Sequence, residues 1–122
     1  MGYKAYKYSF KLHAAHNLDA SFTKEQAHFH TLKIILYVQN QGFFAVYQDI
    51  EEEIEKYIQQ FEGKYLNHTP PFDNFSPTIE NIGTVFYGQL KDIISLLHFN
   101  LLKLEISETP TRIFSISEEI IL

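Results

Sequence analysis

Apolar residues recur at every second position in two segments of the first third of the chain. From Tyr6 to Ala14 the even positions are aromatic or aliphatic, whereas the odd positions are Lys, Ser or His. A second segment, from about His28 to Gln39, alternates in the same way, with Ile35 as the apolar exception on its outer face. A period of two is typical of a strand with one buried face. Both segments are therefore predicted to be strands, and the short polar connection between them suits antiparallel neighbours.

The middle of the chain changes to a helical period. Between Ile50 and Phe61 apolar residues recur at spacings of three and four, the opposite face is rich in glutamate, and Gly63 is the expected stop. A second apolar stripe extends from Ile79 to Leu97, and Ser76 followed by Pro77 is expected to cap its start. Two amphipathic helices are predicted here.

Alternation returns in the last quarter of the chain. Leu102, Leu104 and Ile106 share one parity, and Phe114 and Ile116 are expected to point inward after a Thr-Pro-Thr turn. The predicted order is strand, strand, helix, helix, strand, strand, which is an α+β fold. With 122 residues the chain is long enough for one core and too short for two ordinary domains, so a single domain over residues 1–122 is expected.

Charge and composition exclude several classes of function. The formal net charge is -5, from 15 acidic and 10 basic residues, so a nucleic-acid partner is not expected. No uninterrupted apolar run is longer than that of Ile-Ile-Leu-Tyr-Val, which is far shorter than a membrane span, and no stretch resembles a signal peptide. We therefore expect a cytoplasmic protein without a membrane partner. The absence of cysteine excludes disulfides, thiolate metal ligands and a cysteine nucleophile.

Three histidines share the parity of the apolar strand faces. His28 and His30 lie on the parity of Leu32 in the second strand, and extrapolation of the first strand places His16 on the parity of Leu12. Three neutral imidazoles with one coordination position left for water are the arrangement of a catalytic zinc site. Histidines in sheets are also often hydrogen-bonded structural residues, so this alternative stays open.

The other histidines and one carboxylate are assigned separately. His13, on the opposite parity, and His98, at the end of the second helix, are predicted to be structural, and His68 in the loop has no assigned role. Glu108 continues the parity of Ile106 at the end of the third strand. Its carboxylate is either exposed where the strand leaves the core or directed into a pocket.

These segments together resemble the 6-pyruvoyltetrahydropterin synthase family, which includes the bacterial 6-carboxytetrahydropterin synthases of queuosine biosynthesis. Ala-Ala-His ending at His16 is similar to the first zinc-ligand motif of the family, and His-Phe-His at 28–30 is similar to its His-Gly-His pair. Further similar segments, in the family's order, are Lys-Tyr-Leu-Asn at 64–67, Ser-Pro-Thr-Ile-Glu-Asn at 76–81 and Ser-Glu-Thr at 107–109.

The resemblance implies a T-fold-like four-stranded antiparallel sheet with two helices on one face. It implies homo-oligomers in which three sheets close into a barrel, as a trimeric ring or a hexamer. It also implies a Zn²⁺ ion held by His16, His28 and His30. Glu108, with Thr109, would anchor the guanidine-like edge of a pterin, where two N–H donors meet two carboxylate oxygens.

Several positions depart from the family pattern. The usual cysteine base is replaced by Lys24, with Glu25 beside it, and Glu62 and Gly63 stand where the family has an Asp-His dyad. Val46 replaces an aspartate at the start of the first helix, and Phe29 replaces the glycine between the two ligand histidines, where it is expected to crowd the site.

The leading hypothesis is a zinc-dependent pterin-processing lyase of this family with altered proton-transfer residues, acting on dihydroneopterin triphosphate or a related pterin. Glu25, Lys24 or zinc-bound hydroxide would serve as base. The alternative is a non-catalytic member of the same fold that binds a pterin or a metal. A third possibility is that the histidines are structural and the site binds nothing.

Overall fold

The computed structural model describes residues 4–17 and 27–118. Four strands and two helices follow in the predicted order: β1 (Tyr6–His16), β2 (His28–Asn40), α1 (Tyr47–Gln59), α2 (Ile79–Ser95), β3 (Phe99–Thr109) and β4 (Arg112–Ile116). Two short 3-10 turns, Leu66–His68 and Phe72–Asn74, lie in the loop between the helices. Lys24 and Glu25 lie outside the described residues.

The four strands form one antiparallel sheet in the order β1-β2-β3-β4, so each strand pairs with its neighbour in sequence. Both helices pack on one face. Side chains of even parity from β1 and β2, including the fully buried Leu12 and Ile34, join Ile54 of α1 and Phe86 of α2 in one core. Burial of this apolar surface is the main stabilising contribution to such a fold. The predicted α+β architecture is confirmed.

The other face of the sheet carries neither helix. Its residues are those of odd parity in β1 and β2, and most of them are polar and exposed. Ile35 is an exception, because only 8% of its surface is exposed.

Two predicted details of the fold are wrong. Leu102 does not share the core face with Leu104, because the register of β2 and β3 shifts between Tyr37 and Val38 and places Leu101 in the core instead. Such a bulge inserts one residue and reverses the alternation beyond it.

The second wrong detail is the start of α2. Thr78, not Ser76, is the N-cap, and its side chain accepts a hydrogen bond from the Asn81 backbone N–H. Pro77 therefore precedes the cap rather than occupying the first helical position. Ser76 and Thr78 both carry a hydroxyl group that could cap the helix. Because Pro77 between them is typical of the first helical position, the sequence favoured Ser76.

Candidate functional site

Antiparallel pairing brings three strand ends together at one end of the sheet. β1 ends at His16, β2 begins at His28, and β3 ends at Thr109. Because β2 is antiparallel to both of its neighbours, its first residues lie beside the last residues of β1 and β3. His16 is directly opposite His28 in the register, and Ala14 is opposite His30.

His16, His30 and Glu108 form a cluster at this end, each offering one ligand atom within 4.8 Å of the others. The Nε2 atom of His16 lies 2.8 Å from Oε1 of Glu108, and the rings of His16 and His30 are 5.4 Å apart. His16 is buried, whereas His30 and Glu108 are half-buried. The structure thus joins two predicted metal ligands to the predicted pterin anchor.

His28 is placed differently from His30. It lies on the same face of β2 and beside His16 in the register, but it is exposed and is not part of the cluster. Thr109 is also exposed, at the last position of β3. Of the predicted site residues that the structure describes, these two lie at the margin.

The donor set fits a zinc ion. Two imidazoles and a carboxylate are a ligand combination that zinc accepts in proteins. The Nδ1 atom of His16 is buried and has no hydrogen-bond partner among the described residues. Buried polar atoms rarely remain unsatisfied in folded proteins, so this nitrogen calls for a ligand or a bound partner.

A short segment after α1 holds the end of β1 in place. The N–H of Ala15 donates to the carbonyl of Lys64 at 2.9 Å, and the N–H of Gly63 donates to the carbonyl of His13 at 2.7 Å. Gly63 has φ 72°, a left-handed conformation that glycine adopts without strain. This segment covers the outer edge of β1 next to His16.

Two asparagines extend this support. The Asn67 side chain accepts from the Asn17 backbone N–H at 2.9 Å and donates to the Asn17 carbonyl at 3.0 Å. The Asn17 side chain in turn donates to the Tyr65 hydroxyl at 3.1 Å. The Asn67 amide thus makes two hydrogen bonds of the kind that a neighbouring strand would make to Asn17. Asn17, the residue after His16, is therefore held through both its backbone and its side chain.

A cleft of about 360 Å³ opens beside the cluster. His16 and Glu108 form part of its wall, which is also lined by Thr78 at the N-cap of α2, Glu80 in α2 and Arg112 at the start of β4. Sequence reasoning gave no role to Arg112, and it treated the segment with Thr78 and Glu80 only as a family-like helix start. Only sequence position could have indicated these residues. Arg112 comes three positions after Thr109, and Thr78 and Glu80 lie at the start of α2.

Glu62 and Gly63, two of the positions that depart from the family pattern, have structural roles here. Glu62 accepts a hydrogen bond from the His13 backbone N–H at 3.0 Å, and Gly63 supplies the turn described above. Val46 precedes α1 without a side-chain cap. The expectation that Phe29 crowds the site is wrong, because its ring lies on the helix-free face, 5.2 Å from the His13 ring. Alternation along β2 directs it away from His28 and His30.

The remaining histidines are placed away from the cluster. His98 has φ 64° just after α2, and its ring stacks on Phe43 at 4.1 Å. His68 is exposed, and its ring lies 4.7 Å from that of Tyr65. These contacts agree with the structural role predicted for His98.

Comparison with known families identifies the chain at this point. The model of the 6-pyruvoyl tetrahydropterin synthase family matches residues 6–119. The chain belongs to this family. The match spans all six elements of secondary structure and the whole His16, His30 and Glu108 cluster. No curated protein sequence is matched at a significant level.

Several solved structures share the fold of this chain. The 6-pyruvoyl tetrahydropterin synthase of Caenorhabditis elegans is 18% identical, with a TM-score of 0.75 over 95% of this chain and 96% of its own. An uncharacterised Wolinella succinogenes protein is 13% identical, with a TM-score of 0.71 over 95% and 98% of the two chains. A Plasmodium vivax 6-pyruvoyltetrahydropterin synthase, solved as a variant in which a catalytic glutamate is replaced by alanine, is 13% identical with a TM-score of 0.62 over 96% and 99%.

Within the described ranges, no helix is both long and apolar enough to cross a membrane.

Proposed function

We propose that this family member is a zinc-dependent pterin-processing lyase, resembling the 6-pyruvoyl- and 6-carboxytetrahydropterin synthases and acting on dihydroneopterin triphosphate or a related pterin. The observation that carries the proposal is the His16, His30 and Glu108 cluster beside the cleft. It combines metal-ligating nitrogens with a carboxylate in a half-buried setting. We further propose that the protein is cytoplasmic and a single domain, and that it is a homo-oligomer, as the family resemblance implies.

His16 and His30 are the proposed metal ligands, with His28 as the third imidazole. His28 lies next to His16 in the register, and a change of side-chain rotamer is the movement that would bring it to the cluster. A zinc ion bound there would act as a Lewis acid on substrate oxygens. The chain's own part is to hold two imidazoles on a rigid sheet, where packing and pairing fix their orientation.

Glu108 is the proposed pterin anchor, and its contact with His16 bears on how it would act. The carboxylate now uses Oε1 to contact the imidazole at Nε2. A ligand bound at this same Nε2 atom would free the carboxylate, which could then accept two N–H donors from the guanidine-like edge of a pterin. Occupation of the metal site would therefore promote pterin binding, and Thr109 follows directly in the chain.

A base is still required to move protons on the substrate side chain. Glu25 and Lys24 are the proposed candidates, although both lie outside the described residues. The catalytic glutamate of the Plasmodium vivax enzyme supports a carboxylate in this role. Glu62 is not available in the same way, because its carboxylate is bonded to the backbone of β1.

The test is incubation of the zinc-loaded protein with dihydroneopterin triphosphate, following triphosphate release and the pterin product together. Turnover that is lost in Glu25→Ala and in His30→Ala, and retained in the exposed helix variant Glu53→Gln, is the expected result. Zinc content by elemental analysis, compared between His28→Ala and Glu108→Gln, identifies the third ligand. If Glu108→Gln left pterin affinity unchanged, the anchor assignment would fail.

The same experiment decides between the enzyme and a non-catalytic binding protein. By the family resemblance, Gly63 stands where the family has its dyad histidine, and the absence of that histidine is the reason to keep the alternative. Tight zinc and measurable pterin binding without turnover would indicate a binding member of the fold. Absence of zinc from protein purified without chelator would instead indicate that the histidines are structural.

A further inference from the structure

A groove of about 490 Å³ lies between α1 and the end of α2. One wall is apolar and belongs to α2 and the turn after it, and the other is acidic and belongs to α1. The lining residues are Ile93, Leu96, Leu97, Asp49, Glu52 and Glu53. None of these residues belongs to a strand, so the groove opens on the side of the helices that faces away from the sheet.

The apolar wall lies at an end of the molecule where large apolar side chains are exposed. Leu96 directly follows α2 and is 82% exposed, and Phe44, in the loop between β2 and α1, is 95% exposed. The Gln41 N–H donates to the His98 carbonyl at 3.1 Å, which ties this loop to the end of α2. Apolar side chains exposed together in this way typically mark a surface for association.

The acidic wall attracts positive charge. α1 carries five acidic residues and a single lysine, Lys56, which does not line the groove. Within the described ranges the three lining carboxylates form no ion pair, and Glu52 accepts a hydrogen bond only from the neutral Gln48 side chain, at 3.2 Å. The C-terminal end of α2 adds partial negative charge, and its last turn has no basic residue to offset it.

We propose that this groove, together with the adjacent Phe44, binds a basic amphipathic helix of a partner protein. Such a helix presents apolar side chains three or four residues apart on one face, with lysines or arginines at its flanks. The apolar face would cover Leu96 and Leu97, and the flanking cations would meet the carboxylates of α1. The groove follows about one turn of α1, so the complex belongs to the small, transient class.

Charge excludes the other occupants of such a surface. A second copy of this chain, related by a two-fold axis through the groove, would bring two acidic walls together, and like charges across an interface repel. Anionic membranes and nucleic acids are repelled by the same carboxylates. A basic partner with an apolar face complements both walls.

The groove stays accessible in the ring of sheets that the family resemblance implies. Helices about 10 Å across are too bulky for the interior of a barrel of this size, so the helix layer is the outer surface of the ring. The groove lies between the two helices of one chain, away from the outer strands β1 and β4 through which neighbouring sheets would join.

The proposal is independent of the function proposed for the His16, His30 and Glu108 cluster. The first residues of α2 line the cleft beside that cluster, and the residues at its other end line the groove. The length of α2 separates the two sites by roughly 20 Å.

The test is binding of a synthetic amphipathic peptide of leucine and lysine, about 14 residues long, to the full chain at low salt. Fluorescence anisotropy of the labelled peptide measures the affinity. Leu96→Ser is expected to bind about tenfold more weakly, because one apolar contact is lost. The variant should fold as the wild type does, because Leu96 is exposed.

Two matched variants of α1 test the acidic wall. Glu52→Gln/Glu53→Gln is expected to weaken binding roughly tenfold at low salt and by less as salt is added. Glu51→Gln/Glu55→Gln removes the same charge from positions of the same helix that do not line the groove, and it is expected to bind as the wild type does. His30→Ala should also bind as the wild type does.

Two control peptides test the class of partner. A peptide of the same composition in scrambled order has no apolar face and is expected to bind more weakly. A peptide with the same apolar pattern and glutamate in place of lysine is expected not to bind. Equal binding of the ordered and scrambled peptides would mean that the groove does not recognise an amphipathic helix.

Four further results would overturn the proposal. Unchanged affinity in Leu96→Ser, or equal affinity in the two glutamate double variants, would mean that the peptide does not occupy the groove. A smaller oligomer of Leu96→Ser in sedimentation would mean that a second copy of this chain covers the groove. Tighter peptide binding by Ile120→Ser/Ile121→Ser would mean that residues 119–122 occupy it instead.

Discussion

Two glycines of α2 provide a test of how closely this helix packs on the sheet. A Cβ atom built at Gly83 would lie 2.9 Å from Cγ2 of Ile106 and 3.1 Å from Cδ2 of Phe114. At Gly88, one and a half turns later on the same helix, a Cβ would meet no atom within 4 Å. The substitution to alanine is chemically identical at the two positions, so the difference between them isolates the steric effect.

The expected magnitudes follow from two opposing contributions. Alanine is favoured over glycine in a helix by about 1 kcal/mol. Overpacking a filled core costs about 1–3 kcal/mol, and Ile106 is fully buried with a stiff β-branched side chain. We therefore expect Gly83→Ala to lower the free energy of unfolding by about 1 kcal/mol and Gly88→Ala to raise it by about 1 kcal/mol.

Urea and thermal unfolding followed by far-ultraviolet circular dichroism measure both variants. A difference of about 2 kcal/mol corresponds to roughly 8 °C in Tm for a chain of this size. All samples are compared at one protomer concentration, because association would shift the apparent stability. Equal stabilisation by both substitutions would refute the reasoning, since it would mean that the contacts at Gly83 relax without cost.

Three further substitutions test local features. Tyr57→Phe should lower the free energy of unfolding by about 1 kcal/mol at neutral pH, because the hydrogen bond from the Tyr57 hydroxyl to Gln89 is lost. Burial raises the pKa of the Tyr57 hydroxyl above its ordinary value of 10.0. The contribution of this hydroxyl to stability is therefore complete below about pH 10 and declines as the pH rises further. In an alkaline titration of stability, Tyr57→Phe should lose less than the wild type. Asn67→Ala should lower the free energy of unfolding by about 2 kcal/mol, because it removes both hydrogen bonds to the Asn17 backbone. Hydrogen exchange at the Asn17 N–H that is no faster than in the wild type would contradict this. Thr78→Ala should cost about 1 kcal/mol, whereas Thr78→Ser, which keeps the cap to Asn81, should cost much less; equal losses in urea unfolding would argue against the cap.

The part of the site that could be predicted from the sequence is the part governed by strand alternation. His16, His30 and Glu108 share the parity of their buried neighbours, and regular pairing keeps that parity over the last residues of β1 and the first residues of β2. Because parity is strict within a regular strand, three residues distant in sequence could be assigned to one face. What parity does not give is distance, so the contact between His16 and Glu108 was not predicted.

The features that the sequence did not predict all depend on how distant segments of the chain pair in the folded protein. The bulge at Leu102 has no local signature, because only the fit of β3 against β2 requires it. The support of β1 by Gly63 and Asn67 likewise depends on where the chain returns after α1. Local sequence specifies the turn at Gly63, but it does not specify that the turn lies beside the end of β1 next to His16.

The His16 and Glu108 contact joins two residues that are 92 positions apart in the sequence. A ligand that bridges these side chains would act as a reversible cross-link between the first strand and the third, closing a loop of most of the chain. Present at a hundred times its Kd, such a ligand would add about 2.7 kcal/mol to the free energy of unfolding. Occupancy of the site and integrity of the whole fold are thus thermodynamically linked, and resistance to proteolysis would report both.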